Sequence, residues 1–168
     1  MITIRELAED ELDIFRNIII KSGAYSSSNI DLNRTPFVWY GHSALDWSIA
    51  LKDNIPFGVI LSRLVHNNYH LHCLYVDTKY QQDGYGKELI KYHWKRGVER
   101  NADLKTYTLH VNKTNENAIN FYLKLGYMRH YDEDSIQEES GLEDWINNCR
   151  KCNDWPLREG HLLYYIKR

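Results

Sequence analysis

The segment Gln81-Gln82-Asp83-Gly84-Tyr85-Gly86-Lys87 decides the fold class, because it joins a strand pattern to a helix pattern. The strand pattern covers Tyr69 to Val76, and the helix pattern runs from about Gly84 to Arg100. Two glycines at the start of a helix let backbone N–H groups approach an anion without an intervening side chain, and the helix dipole adds attraction. The segment therefore predicts an anion-binding loop between a strand and a helix.

Two other phosphate-binding loops are excluded by spacing. A Walker A loop requires G-x-x-x-x-G-K-[ST], which the segment lacks. A dinucleotide-binding fingerprint requires a third glycine or alanine at position 89, where this chain has Leu89. The pattern that remains is Q-x-x-G-x-G.

The residues after this helix predict a βαβ unit. Leu104 to Val111 alternates apolar and polar side chains, which is typical of a strand, so that Tyr69 to Val111 should contain two parallel strands and a right-handed crossover. Asn101 is expected to end the helix in a left-handed conformation. The face that the helix is expected to bury repeats every four residues and consists of Ile90, Trp94 and Val98.

The rest of the chain predicts strands and helices around that unit. Before it we expect a strand at Ile2–Arg5, a helix carrying Ala8, Leu12, Phe15 and Ile19, and a hairpin of Trp47–Lys52 and Phe57–Val65 around Asp53-Asn54. After it we expect a helix at Asn115–Leu125 that ends at Gly126, and strands at Tyr127–Tyr131 and His161–Ile166. Residues 22–46 are interpreted as a loop with a short helix. The prediction is a mixed α/β fold with antiparallel N-terminal strands and flanking helices.

Length and composition limit the class of protein. The 168 residues fit one domain, residues 1–168, with a polar insertion at about 132–159. A net charge of −2 argues against a nucleic-acid partner held by bulk positive charge. No signal peptide is visible and the apolar stretches fall short of the roughly 20 residues that span a bilayer, so we expect a cytoplasmic protein without a membrane partner. Cys149 and Cys152 form a lone C-x-x-C pair, which is interpreted as two unrelated thiols.

Q-x-x-G-x-G resembles the acyl-CoA pyrophosphate loop of the GCN5-related N-acetyltransferase (GNAT) superfamily. Two further segments strengthen the resemblance. The strand ends Leu74-Tyr75-Val76-Asp77, similar to the L-x-V-x close of the family's fourth strand, and residues 111–127 resemble its N-x-x-A-x-x-x-Y-x-K-x-G-F signature, with Tyr127 in place of Phe. The resemblance is sharp over residues 69–131, loose over 1–65 and absent over about 132–159. It implies a GNAT-like sheet whose two parallel strands splay apart.

The resemblance also implies a cofactor site for acetyl-CoA. Backbone groups of Leu74, Tyr75 and Val76 would pair with the pantetheine arm, and Asn115 would hydrogen-bond that arm, although Asn115 could equally cap its helix. Tyr122 matches the tyrosine that protonates the departing CoA thiolate. The residues implied for the pyrophosphate are Gln81, Gln82, Asp83, Gly84, Tyr85, Gly86 and Lys87.

Asp83 departs from the family, which often has a basic residue just before the first glycine. A carboxylate beside a pyrophosphate weakens binding unless it turns outward or unless Lys79 or Lys87 offsets it. The favoured structural interpretation of Asp83 is a helix N-cap.

His70 lies where family members often carry the general base. An ordinary imidazole pKa near 6.5 suits a base or a water relay at neutral pH, and His72 shares the same strand face. The alternative is a partly solvated polar strand face. A metal site formed by His70 and His72 with His66 is disfavoured because the sequence fixes no further ligand nearby, so no metal is expected.

The leading hypothesis is an N-acetyltransferase that moves an acetyl group from acetyl-CoA to a primary amine in a ternary complex. The alternative is a non-catalytic acyl-CoA-binding sensor on the same fold, and a third reading is a pure interaction domain. Seven acidic residues between Asp132 and Asp144 are interpreted first as a solvated loop and second as a wall for a cationic acceptor. Three aromatic residues belong either to the acceptor pocket or to the core: Trp39, Tyr40 and Trp47. Analogy with the family suggests a homodimer.

Overall fold

A computed structural model of the chain describes residues 1–23, 43–130 and 161–168. Within those ranges the strands are β1 (Ile2–Glu6), β2 (Leu45–Lys52), β3 (Ile55–Val65), β4 (Asn68–Val76), β5 (Thr106–Asn112), β6 (Met128–Arg129) and β7 (His161–Lys167). The helices are α1 (Leu12–Lys21), α2 (Tyr85–Arg100) and α3 (Glu116–Lys124), with short 3₁₀ turns at Glu9–Glu11 and Thr78–Tyr80.

The described strands form one mixed sheet of seven in the order β1-β2-β3-β4-β5-β7-β6. The β1–β2, β2–β3, β5–β7 and β6–β7 pairs are antiparallel, whereas β4 and β5 are parallel. The parallel ladder runs only from Asn68 opposite Thr106 to Leu71 opposite Leu109, so it leaves out the last five residues of β4. The predicted mixed α/β fold with flanking helices is confirmed.

The chain divides into two compact units, to both of which β3, β4 and α2 contribute residues. The first unit is Met1–Arg63 with His72–Arg96. In its core, Trp47 packs edge-on against Phe15 with ring centroids 5.1 Å apart, so Trp47 is a core residue. Burying a large apolar side chain contributes about 1.5–3 kcal/mol, so this core stabilises the first unit. The core residues are Leu7, Phe15, Ile18, Ile19, Trp47, Ile49, Val59 and Leu61.

The second unit is Leu64–Leu71 with Gly97–Arg168, and its sheet has two unlike faces. One face is apolar and includes Tyr69 and Tyr107, whose rings meet edge-on. Gly97 of α2 lies against these rings, where an added Cβ would come within 2.7 Å of Tyr107 and 2.9 Å of Tyr69. The close approach of helix and sheet here therefore requires glycine. The other face carries polar side chains, described below.

Three local predictions need correction. The buried positions of α2 are Leu89, Ile90, His93 and Gly97, whereas Trp94 and Val98 are only half-buried. The predicted face was rotated because a polar residue, His93, belongs to the core. Asn101 is not left-handed; its side chain accepts from the Asp103 N–H and donates to the His66 carbonyl. Finally, the strand expected at Tyr127–Tyr131 has only two described strand residues, β6.

The N-terminal hairpin and the α3 boundaries are confirmed, with Asn115 capping the helix and Gly126 following it at φ +93°. Several interpreted segments lie outside the described residues: most of 22–46 with Trp39 and Tyr40, the polar insertion, and the Cys149/Cys152 pair. None of the described helices is long and apolar enough to cross a membrane.

Candidate active site

The predicted loop of the first unit is exposed and turns sharply before α2. Gln82 and Gly84 both adopt left-handed backbone conformations, with φ +68° and +83°. Glycine accepts this conformation without strain, whereas Gln82 carries a cost that surrounding contacts must offset. Residues 81–84 are exposed, so the main chain of this turn is open to solvent together with the side chains of Gln82 and Asp83.

Gln81 holds this loop in place. Its side-chain Nε2 donates to the carbonyl of Val76 at 2.8 Å, at the end of β4, and to the carbonyl of Ser22 at 3.1 Å, just after α1. Its amide group is therefore committed to protein carbonyls. Asp77 supports the same corner, because its carboxylate accepts from the Lys79 N–H at 3.0 Å and its own N–H donates to the Phe57 carbonyl.

The N-terminus of α2 presents its N–H groups. The Gly84 carbonyl accepts from Lys87 and Glu88, so Gly84 occupies the N-cap position. No acceptor within the described residues binds the N–H groups of 82–86. The Asp83 side chain likewise accepts no hydrogen bond there and is exposed, so the predicted N-cap role of Asp83 is wrong. The loop thus offers a set of donors to a ligand, with one carboxylate beside them.

A cation and two tyrosines lie next to the loop. Lys52 Nζ lies 5.2 Å from the ring centre of Tyr85 and 5.8 Å from that of Tyr80, and both rings contact Phe57. A hydrogen bond with Tyr85 is the main cause of a raised Lys52 pKa. Sequence reasoning missed this cluster because Lys52 precedes the loop by some thirty residues.

The end of β4 carries the residues expected along the pantetheine arm. Leu74 and Tyr75 are half-buried and Val76 is buried, and Tyr75 packs against the first unit's core. The Val76 carbonyl already accepts a hydrogen bond from Gln81. Burial raises the pKa of the nearby Cys73 thiol to about 12, so Cys73 is not a thiolate at neutral pH.

In the second unit, Asn115 and Tyr122 lie at opposite ends of α3. The Asn115 side chain accepts from the Ala118 N–H at 3.1 Å, so its capping role is confirmed, and the residue is exposed. Tyr122 is buried and contacts the rings of Phe121 and Tyr127 at 5.1 and 5.7 Å. These contacts fix the Tyr122 ring.

His70 belongs to the polar face of the second unit's sheet. It is only 6% exposed, unlike the exposed His72 two residues later. Its Nδ1 lies 2.8 Å from Thr108 Oγ1, and its ring centre is 5.0 Å from that of His110. The ring orientation of His70 is thus set by two neighbours on β5, buried Thr108 and half-buried His110.

The hydrogen bonds continue beyond Thr108. Asn68 Nδ2 donates to Thr108 Oγ1 at 2.8 Å, and Thr106 Oγ1 donates to Asn68 Oδ1 at 3.0 Å. These three polar side chains are at most 4% exposed. Sequence reasoning missed them because β4 and β5 are 38 residues apart here; only the paired strands bring Asn68 and His70 opposite Thr106 and Thr108. Across the described ranges, no group of histidine, cysteine or acidic residues could hold a metal ion.

The described strands contain one parallel pair, β4 and β5, in a mostly antiparallel sheet, which is the fold of the acetyltransferase structures compared below. Residues 5–127 match the model of the Acetyltransferase (GNAT) family, and the chain belongs to that family. No curated protein sequence matches the chain.

Solved structures of acetyltransferases share this fold at low identity. The ribosomal-protein-S18-alanine N-acetyltransferase of Escherichia coli is 17% identical, with 99% of this chain and 94% of that chain covered and a TM-score of 0.71. PaiA N-acetyltransferase of Thermoplasma acidophilum, solved with coenzyme A, is 17% identical over 100% and 99% of the two chains, with a TM-score of 0.70. A spermidine N-acetyltransferase chimera of Vibrio cholerae SpeG and hSSAT is 15% identical over 99% and 95%, with a TM-score of 0.68.

Proposed function

We propose that this protein is an acetyl-CoA-dependent N-acetyltransferase that transfers an acetyl group directly to a primary amine in a ternary complex. The observation that carries the proposal is the set of N–H groups of residues 82–86, which lie at the start of α2 with no acceptor among the described residues. Such a group of donors at a helix N-terminus suits the diphosphate of coenzyme A. Family membership supplies the reaction class.

The loop and β4 would bind acetyl-CoA. The main chain of Gln82 to Gly86 would donate to the diphosphate and Lys87 would add positive charge, while Gln81 holds the loop through its two carbonyl contacts. The main chain near Leu74 to Val76 would bind the pantetheine arm, and its N–H groups would stabilise the oxyanion of acyl transfer. Asn115 is proposed to bind the arm in addition to capping α3.

Tyr122 and His70 are the side chains that we assign to catalysis. Tyr122 donates its phenolic proton to the departing thiolate, and its packed ring holds the hydroxyl in one direction. His70 stands at a position where family members often carry the general base. Which of its ring nitrogens carries the proton decides whether it accepts a proton or donates a hydrogen bond.

The acceptor is proposed to be a cationic small-molecule or peptide amine. Relatives with this fold include enzymes whose names give a ribosomal-protein alanine and spermidine as substrates, which shows the range that one fold serves. The acidic segment from Asp132 to Asp144 would attract such an amine through its charge. In this proposal residues 1–168 form one acetyltransferase domain that works in the cytoplasm, and a homodimer is the assembly to test.

A non-catalytic acyl-CoA sensor is the second candidate. Exposed Asp83 within the loop and a histidine in place of a carboxylate at position 70 favour it. A sensor would gain thermal stability from coenzyme A without transferring the acyl group.

Incubation with acetyl-CoA and a panel of polyamines, aminoglycosides, amino acids and peptides tests the proposal by release of free thiol. We expect turnover with at least one amine, and a drop in kcat of about 10²-fold or more for Tyr122→Phe with little change in coenzyme A affinity. Binding without turnover on any amine would support the sensor. An unchanged kcat in Tyr122→Phe would remove Tyr122 from the acid role.

A further inference from the structure

We infer that Asn68, Thr106 and Thr108 hold His70 in the tautomer that carries its proton on Nε2, so that His70 donates a hydrogen bond during acyl transfer and does not take the proton of the amine. The role in acyl transfer rests on the proposed function. The tautomer itself follows from hydrogen bonds within the second unit.

The hydrogen bonds form a chain from Thr106 through Asn68 and Thr108 to His70, and Thr106 determines which group donates in each of them. Thr106 is 4% exposed, and Asn68 is the acceptor that its hydroxyl has among the described residues. A buried hydroxyl proton without an acceptor is costly, so Thr106 donates to Asn68 Oδ1. The amide nitrogen of Asn68 must then be the group that faces Thr108.

The donor and acceptor assignment of Asn68 also determines which group donates between Thr108 and the His70 imidazole. Thr108 Oγ1 accepts from Asn68, and the Thr108 hydroxyl proton needs an acceptor in a site with no exposed surface. Among the described residues, the remaining partner of that hydroxyl is His70 Nδ1 at 2.8 Å. Thr108 therefore donates to Nδ1, and neutral His70 carries its proton on Nε2.

The reverse arrangement leaves a buried donor without a partner. If His70 donated from Nδ1, the Thr108 hydroxyl would have to donate to Asn68 instead. The Asn68 side-chain amide would then be rotated by 180°, so that its oxygen faced Thr108 and its nitrogen donated to Thr106 Oγ1. The Thr106 hydroxyl would then lack an acceptor among the described residues. The penalty for an unmet buried donor favours the first arrangement by about 5- to 150-fold.

A general base needs a lone pair that faces the reacting amine. In this tautomer Nε2 is already protonated and the lone pair of Nδ1 is held by Thr108. When a neutral amine attacks the thioester, a C–N bond forms and the C–S bond breaks. The nitrogen loses one proton and the sulfur gains one. We assign that proton to water and the Tyr122 hydroxyl, whereas His70 contributes an N–H that can stabilise negative charge on the reacting oxygen.

Nitrogen NMR of ¹⁵N-histidine-labelled protein at pH 8 reads the tautomer directly. The chain has 8 histidines, and loss of one set of signals in His70→Gln assigns His70. We expect a protonated Nε2 and an unprotonated Nδ1 in the unsubstituted protein. A protonated Nδ1 would overturn the inference, whatever the enzyme assay shows.

Thr106→Val tests whether the far end sets the direction, because Val removes the donor without touching His70. We expect part of His70 to change to the Nδ1-protonated tautomer, whereas Thr106→Ser, which keeps a hydroxyl, retains the original one. An unchanged tautomer in Thr106→Val would refute control by this chain of hydrogen bonds.

His70→Gln and His70→Asn separate the donor role from the base role. The Gln side-chain amide can place an N–H near the position of Nε2, and that of Asn near Nδ1. We expect kcat to fall in both variants, and to fall at least about tenfold further in His70→Asn than in His70→Gln, because only Gln restores a donor near the position of Nε2. An equal loss of about 10²–10⁴-fold in both would indicate a general base and contradict the inference. Absence of turnover in the unsubstituted protein would instead refute the proposed function, while the tautomer could still be read by NMR.

Discussion

Two regions differ in whether their hydrogen-bond donors have partners within the described residues. They are the glycine loop of the first unit and the buried polar side chains of the second unit. The loop residues 82–86 are largely exposed and their N–H groups have no acceptor among the described residues. Asn68, Thr106 and Thr108 are buried, and each of their hydroxyl or amide groups is paired. Exposed donors can hydrogen-bond to water until a ligand binds, whereas buried donors need an acceptor within the protein.

The difference separates two kinds of functional group. A loop whose donors face water is suited to binding, because a ligand replaces water at little cost. A buried chain of hydrogen bonds is suited to positioning, because reversing one member forces the others to reverse. The predictions below extend this contrast to another buried polar side chain, to the loop and to an exposed helix cap.

The largest effect is expected from His93, a fully buried imidazole in the first unit that is hydrogen-bonded to Ser62 at 2.8 Å. Burial lowers the His93 pKa from an ordinary 6.5 to about 3. Below pH 6.5 the His93 imidazole therefore binds a proton in the unfolded chain, whereas it stays neutral in the folded protein down to about pH 3. The stabilisation is complete above pH 6.5 and is lost towards pH 3, at up to about 1.4 kcal/mol per pH unit.

His93→Asn should therefore flatten the fall in free energy of unfolding between pH 6.5 and 5, measured by urea denaturation at each pH. His66→Asn is the matched control, because His66 lies in an exposed turn. Equal slopes in His93→Asn and the unsubstituted protein would show that His93 is not held neutral by burial.

Next in size is the effect of Gln81→Glu on the loop. A carboxylate cannot donate to the Val76 and Ser22 carbonyls, so two hydrogen bonds worth about 1 kcal/mol each would be lost. We expect coenzyme A to bind at least about tenfold more weakly to Gln81→Glu than to Gln82→Glu. The two variants add the same charge to neighbouring positions, so equal affinities by calorimetry would mean that the Gln81 contacts do not organise the loop.

Asn115 allows its two proposed roles to be separated. Asn115→Ala should lose about 1 kcal/mol of stability because the Ala118 N–H loses its acceptor, whereas Asn115→Asp keeps the acceptor. Both variants lack the amide donor, so both should bind coenzyme A more weakly. If Asn115→Asp bound coenzyme A as well as the unsubstituted protein does, Asn115 would be a helix cap alone.

The smallest effect is expected from the exposed carboxylate beside the loop. Asp83→Asn should strengthen binding of coenzyme A by about 0.2–1 kcal/mol, because a negative charge near the diphosphate is removed. The gain should shrink as salt is added. Unchanged affinity at low salt would place the diphosphate away from Asp83.

Local patterns predicted most of the fold and the loop. The strand–loop–helix order, the Asn115 cap and the Gly126 stop depend on neighbours within a few residues, and they appear as expected. The buried face of α2 was misjudged because His93 is a polar residue in an apolar position, and its partner Ser62 lies 31 residues away. The hydrogen bonds of His70 depend on strand register, which a single sequence does not reveal.

Calorimetric titration with coenzyme A and with pantetheine, which lacks the diphosphate, tests most directly whether the loop amides bind the cofactor. We predict saturable binding of coenzyme A, weakened by Gln81→Glu, and no measurable binding of pantetheine. Absence of coenzyme A binding, or equal affinity for the two compounds, would contradict the account.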